Sequence, residues 1–175
     1  MEKPLLLERQ FDLVMSLEVA EHLPERCARQ FVDSLTGLGP VVAFSAAIPQ
    51  QGGAEHQNEQ WPDYWANLFI EKNFVVVDCI RKHIWNNNNV MYWYSQNMLI
   101  FVKLDLLKNY PLLEQEFNKN NNKMLSIVHP KHYLLSTSNK NLTLRQVISL
   151  MPILISKSIS YRFDSTLNYF RKIIK

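Results

Sequence analysis

Residues 11–23 are the part of the sequence that most constrains the fold. A mostly apolar run, residues 13–17, lies between Asp12 and Glu18. Such a short run with polar ends is typical of a strand that is covered on both faces, as in a parallel sheet. Pro24 follows closely and favours the first turn of a helix, where its missing N–H costs no hydrogen bond. The segment therefore predicts a strand that runs into a helix, with acid and imidazole groups at the junction.

The next part of the chain alternates between strand-like and helix-like patterns, which is typical of α/β proteins. Apolar runs mark the strands, and Pro49 ends the second of them. One-sided apolar spacing marks the helices, which Gly37 and Gly39 end in the first case and Asn73 in the second, since asparagine tolerates a left-handed helix cap. We expect the last strand to return antiparallel to the third. The predicted strands are residues 12–18, 40–47, 74–80 and 97–103, and the predicted helices are residues 24–36 and 61–73.

Residues 11–23 read Phe-Asp-Leu-Val-Met-Ser-Leu-Glu-Val-Ala-Glu-His-Leu and resemble the fourth-strand motif of class I S-adenosylmethionine-dependent methyltransferases. The resemblance extends to residue 103. It includes the strand exit Ala-Ile-Pro at residues 47–49 and the loop His-Gln-Asn-Glu-Gln-Trp-Pro at residues 56–62. It implies a partial Rossmann-like sheet, with equivalents of strands 4 to 7 and an antiparallel last strand, followed by a C-terminal extension of short helices.

The resemblance also implies roles for the residues at the end of the first strand. Ser16, Leu17 and Glu18 would line the methionine part of S-adenosylmethionine. His22 would act as a base toward the methyl acceptor, with Glu21 orienting it, since a histidine can remove a proton near neutral pH. Simpler interpretations stay open: Glu18 solvates a strand end, and the Glu21 carboxylate is favoured by a helix N-terminus.

The loop after the second strand supplies the predicted acceptor site. Aromatic and amide side chains suit a cover over a flat or apolar acceptor. The predicted substrate-binding residues are His56, Asn58, Trp61 and Tyr64. Trp61 has an alternative role as a core anchor of its helix. A second aromatic group is interpreted as packing or an interface, and it comprises Trp85, Tyr92, Trp93 and Tyr94.

The charge distribution divides the chain near residue 103. Residues 1–102 hold 7 Lys and Arg against 12 Asp and Glu, whereas residues 103–175 hold 12 against 4. We therefore predict a methyltransferase-like part over residues 1–104 and a basic, partly disordered helical extension over residues 105–175. Residues 142–175 are a candidate for contact with an anionic membrane surface. Nucleic acid is not favoured, because the basic residues show no regular pattern.

Metal and disulfide chemistry are not predicted. His129 and His132 are three residues apart, but no third ligand follows at a typical spacing, so no metal site is expected. Cys27 and Cys79 lie in apolar surroundings and are interpreted as thiols in a reducing compartment, the cytoplasm.

The glycine-rich loop and the ribose-binding acid of the methyltransferase resemblance have no counterpart in these residues. The four glycines are at positions 37, 39, 52 and 53, and none opens a strand-to-helix loop of that type. We therefore expect incomplete methyl transfer and weak cofactor binding by this chain alone. The strand at residues 12–18 would be an open sheet edge, which predicts a second protein chain that covers it. The alternative function is accordingly a non-catalytic methyltransferase remnant or a partner subunit.

Overall fold

The computed structural model describes residues 5, 7–119, 124–138, 144–145, 147–152 and 155–156. The chain divides into two compact units, Met1–Ser136 and Thr137–Lys175. The first unit contains one four-stranded sheet with helices, which confirms the predicted α/β class. Its strands are β1 (Val14–Leu17), β2 (Val41–Ser45), β3 (Phe74–Val77) and β4 (Leu99–Lys103). Its helices are α1 (Ala28–Leu38), α2 (Pro62–Ile70), α3 (Arg81–Ile84), α4 (Tyr92–Asn97), α5 (Pro111–Lys119) and α6 (Pro130–Thr137), the last of which reaches the unit boundary.

The sheet is mixed, with strand order β1-β2-β4-β3. Strands β1 and β2 are parallel and pair Ser16 with Phe44, and α1 makes the crossover between them. Strand β4 lies between β2 and β3 and is antiparallel to both, so the prediction of an antiparallel last strand is confirmed. Both parallel strands therefore end at the same edge of the sheet, where polar residues follow each of them.

The two faces of the sheet carry separate cores. Helices α1 and α2 cover one face, where Phe69 stacks on Phe101 of β4 with ring centroids 3.9 Å apart. On the other face Leu107 and the partly buried Phe117 of α5 pack with residues of β3 and β4 such as Val77 and Ile100. Both faces of the inner strands β2 and β4 are thereby shielded from water, which is the main stabilising contribution in such a layered fold.

Strand β1 is covered on one face only, so the prediction that this run is buried on both faces is wrong. Val14 and Ser16 are buried, but Met15 is 60% exposed and Leu13 is 48% exposed. The reason is that the second core contains residues of β2, β3 and β4 but none of β1. Within the described residues β1 pairs only with β2, which confirms the predicted open edge.

The first helix begins later than Pro24 and ends later than residue 36. A single 3-10 turn, Glu25–Cys27, separates Pro24 from α1. Directly after α1 the chain passes close to the backbone of Phe11, which requires a residue without a side chain at position 39. A Cβ on Gly39 would be 2.3 Å from the Phe11 carbonyl oxygen. After α2 the chain turns at Asn73 with a left-handed φ of 61°, as predicted for an asparagine at a helix end.

Residues beyond β4 are part of the same compact unit as the sheet. Leu107 and Leu125 are buried in its two cores. The buried Arg81 guanidinium pairs with Asp78 at 2.6 Å and donates from Nη1 to the carbonyl oxygen of Leu125 at 2.7 Å. The division of compact units thus falls at residues 136 and 137, whereas the charge distribution changes near residue 103.

Several sequence predictions lie outside the described residues. The sequence Asn-Lys-Asn-Asn-Asn-Lys at residues 118–123 predicts disorder; Asn118 and Lys119 belong to α5, and residues 120–123 are not described. Of the second unit, residues 144–145, 147–152 and 155–156 are described and are helical. No helix in the described part of the chain combines the length and the apolar character needed to cross a bilayer.

Candidate functional site

The chain leaves β1 through a left-handed bend at Glu18, which has a φ of 53°. The Glu18 backbone N–H donates to the carbonyl oxygen of Ser45 at 2.9 Å, so the bend stays attached to the end of β2. A 3-10 turn, Ala20–His22, follows directly. A non-glycine residue in this region is strained by about 1–3 kcal/mol and is held only when its surroundings require it. The bend therefore fixes residues 18–22 above the shared carboxyl edge of β1 and β2.

An amide network holds the Glu18 carboxylate. Gln51 Nε2 donates to it at 2.9 Å and Asn97 Nδ2 donates to it at 3.2 Å. Asn97 Nδ2 also donates to Gln51 Oε1 at 2.9 Å, and Gln96 Nε2 donates to Asn97 Oδ1 at 2.9 Å. The network joins the end of β1, the loop after β2 and the end of α4, so the carboxylate has a defined position.

Glu21 is fully buried, and neither of its carboxylate oxygens has a hydrogen-bond partner in the described residues. Burial raises the pKa of this carboxyl group from 4.5 to about 7, because desolvation disfavours its charged form, and the negative Glu18 adds to the rise. The Glu21 carbonyl oxygen accepts the N–H groups of Gln57 at 2.8 Å and Asn58 at 3.0 Å. The backbone therefore fixes this residue, while its carboxylate lacks a partner.

A carboxylate orients His56, and it is not Glu21. His56 Nδ1 lies 2.9 Å from Glu59 Oε1. The Glu59 carboxylate in turn accepts the backbone N–H groups of Gln50 and Gly52, each at 2.8 Å. Gly53 lies against the His56 ring, so closely that a Cβ there would be 2.3 Å from Nε2. The prediction that Glu21 orients His22 is not met, because the Glu21 carboxylate makes no hydrogen bond to it.

Three side chains with metal-ligating atoms meet at this edge. Glu21, His22 and His56 each offer one ligand atom, and these atoms all lie within 4.8 Å of one another. The two imidazole rings stand edge to face with centroids 4.8 Å apart. The cluster faces a pocket of about 380 Å³, which is lined by Glu18, Glu21, His22, Gln51, Gly52, Gly53, His56, Tyr92 and Trp93. This lining carries two carboxylates and no lysine or arginine.

The structure thus brings together Glu18, Glu21, His22 and His56 from the predicted site residues. Ser16 and Leu17 do not line the pocket. Ser16 is buried, and its Oγ has no partner among the described residues. Leu17 is half-buried at the end of β1.

The other predicted acceptor residues lie elsewhere. Asn58 is buried and accepts from Gln60 Nε2 at 3.0 Å through its side chain. Trp61 is 41% exposed and lines a separate shallow depression with Asp63, Ser126 and Val128. Tyr64 packs edge to face on the buried Trp65, with ring centroids 5.0 Å apart. Because none of these three side chains lines the pocket at Glu21, their predicted contact with the acceptor has no support in the geometry.

The sequence interpretation missed pocket residues that come from distant elements. Tyr92 and Trp93 were assigned to packing or an interface, and they line the pocket. Gln51 and Asn97 had no local signal, since an amide gains a role only from its partners. Glu59 had a local signal, because a carboxylate three residues after His56 is close enough in the chain to pair with its imidazole.

His129 and His132 form no metal cluster in the described part of the chain. His129 Nε2 lies 2.9 Å from the Trp85 carbonyl oxygen, and its Nδ1 accepts the Lys131 backbone N–H at 3.2 Å. Both ring nitrogens are therefore occupied. His132 is buried against Tyr92, and burial lowers the pKa of its imidazole.

Comparisons with protein-family models, with curated proteins and with solved structures find no match. The function therefore has to be inferred from the chemistry of the side chains at the carboxyl edge of β1 and β2.

Proposed function

We propose that this edge is the catalytic rim of an S-adenosylmethionine-dependent methyltransferase that acts on a small molecule. The observation that carries the proposal is the Glu18 carboxylate, which Gln51 and Asn97 hold at the carboxyl end of a parallel strand pair, facing a pocket. Open α/β sheets bind their ligands at this edge. The strand order and the antiparallel β4 also agree with a Rossmann-like sheet that supplies equivalents of strands 4 to 7.

The side chains at the end of β1 fit the methionine end of the cofactor. Its ammonium and sulfonium groups are cationic, and the pocket lining offers carboxylates without a competing lysine or arginine. Glu18 would hold the ammonium group, whereas the buried Ser16, two residues earlier, does not line the pocket. The adenosine end would require surface from another polypeptide or from residues outside the described ranges.

The acceptor would lie between the imidazoles and the aromatic rings of Tyr92 and Trp93. Its nucleophilic oxygen or nitrogen forms a bond to the methyl carbon while the C–S bond breaks, and the electron pair stays on sulfur. The proton of the acceptor leaves to His22, the most exposed group of the cluster, or to water. Because the sulfonium is a good leaving group, holding the two reactants in line supplies much of the rate.

A second candidate function rests on the open edge of β1. Met15 is exposed on β1, Leu13 is exposed just before it, and the free side of the strand has unpaired backbone groups in the described residues. Such an edge is a template for strand pairing. On this basis the chain would be a non-catalytic remnant or a subunit whose β1 pairs with another protein. The free Cys27 and Cys79 suit the cytoplasm for either function, and a membrane contact by residues 142–175 stays a prediction.

Calorimetric titration of the purified chain with S-adenosylmethionine and S-adenosylhomocysteine tests the first candidate. We expect weak binding, through the methionine end of the cofactor alone, which the change Glu18→Gln weakens about tenfold further, since a hydrogen bond to a charged group contributes about 1.5–3 kcal/mol. The matched control is Glu8→Gln, because Glu8 is exposed and does not line the pocket. Absence of binding by the unmodified chain, or equal binding by the Glu18→Gln variant, would contradict the proposal and favour the second candidate.

A further inference from the structure

We propose that Glu21, His22 and His56 bind one divalent ion of the zinc type, with an open coordination position toward the pocket. The observation behind this inference is the meeting of two imidazoles and one carboxylate, whose ligand atoms lie within 4.8 Å of one another. Two histidines and one carboxylate are a donor set found in catalytic zinc sites, which keep the fourth position for water or substrate.

The cluster needs little movement to close on an ion. Zinc holds nitrogen and oxygen ligands at about 2.0–2.2 Å, so ligand atoms around it lie within roughly 4 Å of one another. His22 is exposed and can make that adjustment by a side-chain rotation. Glu21 is fixed through its carbonyl oxygen, which accepts two backbone N–H groups. Glu21 and His56 would therefore stay in place, and His22 would rotate to close the site when an ion binds.

His56 is arranged as a metal ligand would be. Its Nδ1 is engaged with Glu59 Oε1 at 2.9 Å, which leaves Nε2 as the coordinating atom. Metal-ligating histidines almost always donate their other ring nitrogen to a carboxylate, a carbonyl or water. The two backbone N–H groups on Glu59 fix the carboxylate itself, and Gly53 limits rotation of the ring. A histidine that only packed would not need this support.

The Glu21 carboxylate supplies independent support for an ion. It is 0% exposed, and both of its oxygens lack a partner in the described residues. A buried carboxylate is costly without a cation or a hydrogen-bond donor. No lysine or arginine lines the pocket, and Glu18 and Glu59 add negative charge nearby. A divalent cation would satisfy these groups.

The role of the ion in methyl transfer rests on the proposed function. The binding of the ion by Glu21, His22 and His56 does not. An ion with an open position would bind an acceptor hydroxyl oxygen and favour loss of its proton to solvent, since His22, held as a ligand, would not take that proton. The resulting oxyanion would form the O–CH₃ bond as the C–S bond breaks. The inference therefore narrows the acceptor to a hydroxyl compound, with an apolar or aromatic body against Tyr92 and Trp93.

Zinc titration of the tag-free, chelator-treated full chain tests the inference by calorimetry, with Co²⁺ absorption spectra as a second readout. We expect one Zn²⁺ per chain and a Co²⁺ spectrum of nitrogen and oxygen ligands without thiolate bands. Glu59→Gln should weaken Zn²⁺ binding roughly 10- to 100-fold. His22→Ala and His56→Ala should weaken it further, because each removes one of three protein ligands. His83→Ala is the matched control, since His83 is exposed on α3 and outside the cluster.

Absence of stoichiometric Zn²⁺ binding, thiolate bands with Co²⁺, or equal affinities of all variants would each overturn the metal site. His22→Ala decides the matter if His56→Ala fails to fold, because His22 is exposed. The same samples are titrated with S-adenosylmethionine, with and without Zn²⁺. Zinc binding without cofactor binding would contradict the proposed function alone, and cofactor binding without zinc binding would contradict the metal site alone.

Discussion

The side-chain amide of Asn97 donates to the carboxylate of Glu18 at 3.2 Å, although 79 positions separate the two residues in the chain. The contact joins the end of α4 to the bend after β1. Gln51 lies between them and bonds to both side chains. The pocket edge is therefore assembled by long-range polar contacts and depends on the complete sheet.

Replacing Asn97 by alanine should lower the free energy of unfolding by about 1–3 kcal/mol, because Glu18, Gln51 and Gln96 lose a buried partner. Urea denaturation followed by circular dichroism measures the change. Asn86→Ala is the control, since Asn86 is exposed, and its stability should stay within about 0.5 kcal/mol of the unmodified chain. Equal losses in the two variants would show that the network adds nothing to stability.

The raised pKa of Glu21 predicts that stability falls with rising pH. Between pH 4.5 and about 7 the folded state keeps a proton on Glu21 that the unfolded state releases. The free energy of unfolding therefore decreases through this interval, and the loss is complete above it. Glu21→Gln mimics the protonated carboxyl group and should remove the slope. The variant should match the unmodified chain near pH 5 and exceed it at pH 8 by about 2–3 kcal/mol, at roughly 1.4 kcal/mol per pKa unit.

Thermal melts from pH 5 to pH 8 in chelator-containing buffer compare the two proteins, so that no metal ion stabilises the charged carboxylate. Glu8→Gln serves as the control, because Glu8 is exposed. If the curves of Glu21→Gln and the unmodified chain stay parallel over the whole interval, the burial of the Glu21 carboxylate is not what sets its protonation.

Gly37 and Gly39 should respond oppositely to alanine. Gly37 lies inside α1, and a Cβ added there would have no atom within 4 Å, so Gly37→Ala should raise stability by about 0.5–1 kcal/mol. At Gly39 the added Cβ would be 2.3 Å from the Phe11 carbonyl oxygen. Gly39→Ala should therefore lower stability by about 1–3 kcal/mol, as overpacking does. Chemical denaturation of both variants checks the pair, and the same sign for both would contradict the close approach of Phe11.

The open edge of β1 predicts association that depends on Met15. Met15 is 60% exposed on a strand with a free pairing side in the described residues. We expect the purified chain to self-associate with rising concentration, and Met15→Lys to reduce this, because a charged side chain on an edge strand opposes pairing. Sedimentation velocity over a concentration series measures the effect. Ile70→Lys is the control, since Ile70 is 56% exposed at the end of α2, away from the sheet edge. An equal reduction by both variants would point to general solubility.

Local signals in the sequence predicted the four strands and the first two helices. Trp61-Pro62 marks the start of α2, and Asn73 adopts the left-handed conformation expected at a helix end. The alternation of strands and helices predicted the α/β class, and the antiparallel last strand predicted with the methyltransferase resemblance is confirmed by β4. These signals work because capping, turn and periodicity preferences act over a few neighbouring residues.

Coverage of β1 was not predictable from its own residues. An apolar run predicts burial, but Met15 is exposed because the second core contains residues of β2, β3 and β4 and none of β1. The site shows the same limit. Glu18, Glu21 and His22 follow one strand and were predicted together, whereas Tyr92 and Trp93 join them only because α4 folds back to the same edge.

The sequence by itself determined the four strands, the first two helices, the strand-to-helix junction at residues 18–22 and the acidic and imidazole character of that junction. Only the tertiary structure decided that His56 completes a cluster with Glu21 and His22, that Glu59 orients it, and that the Glu21 carboxylate is buried without a partner in the described part of the chain. The physical reason is that residue type and spacing govern local backbone preferences, whereas burial and side-chain contacts depend on how distant segments pack.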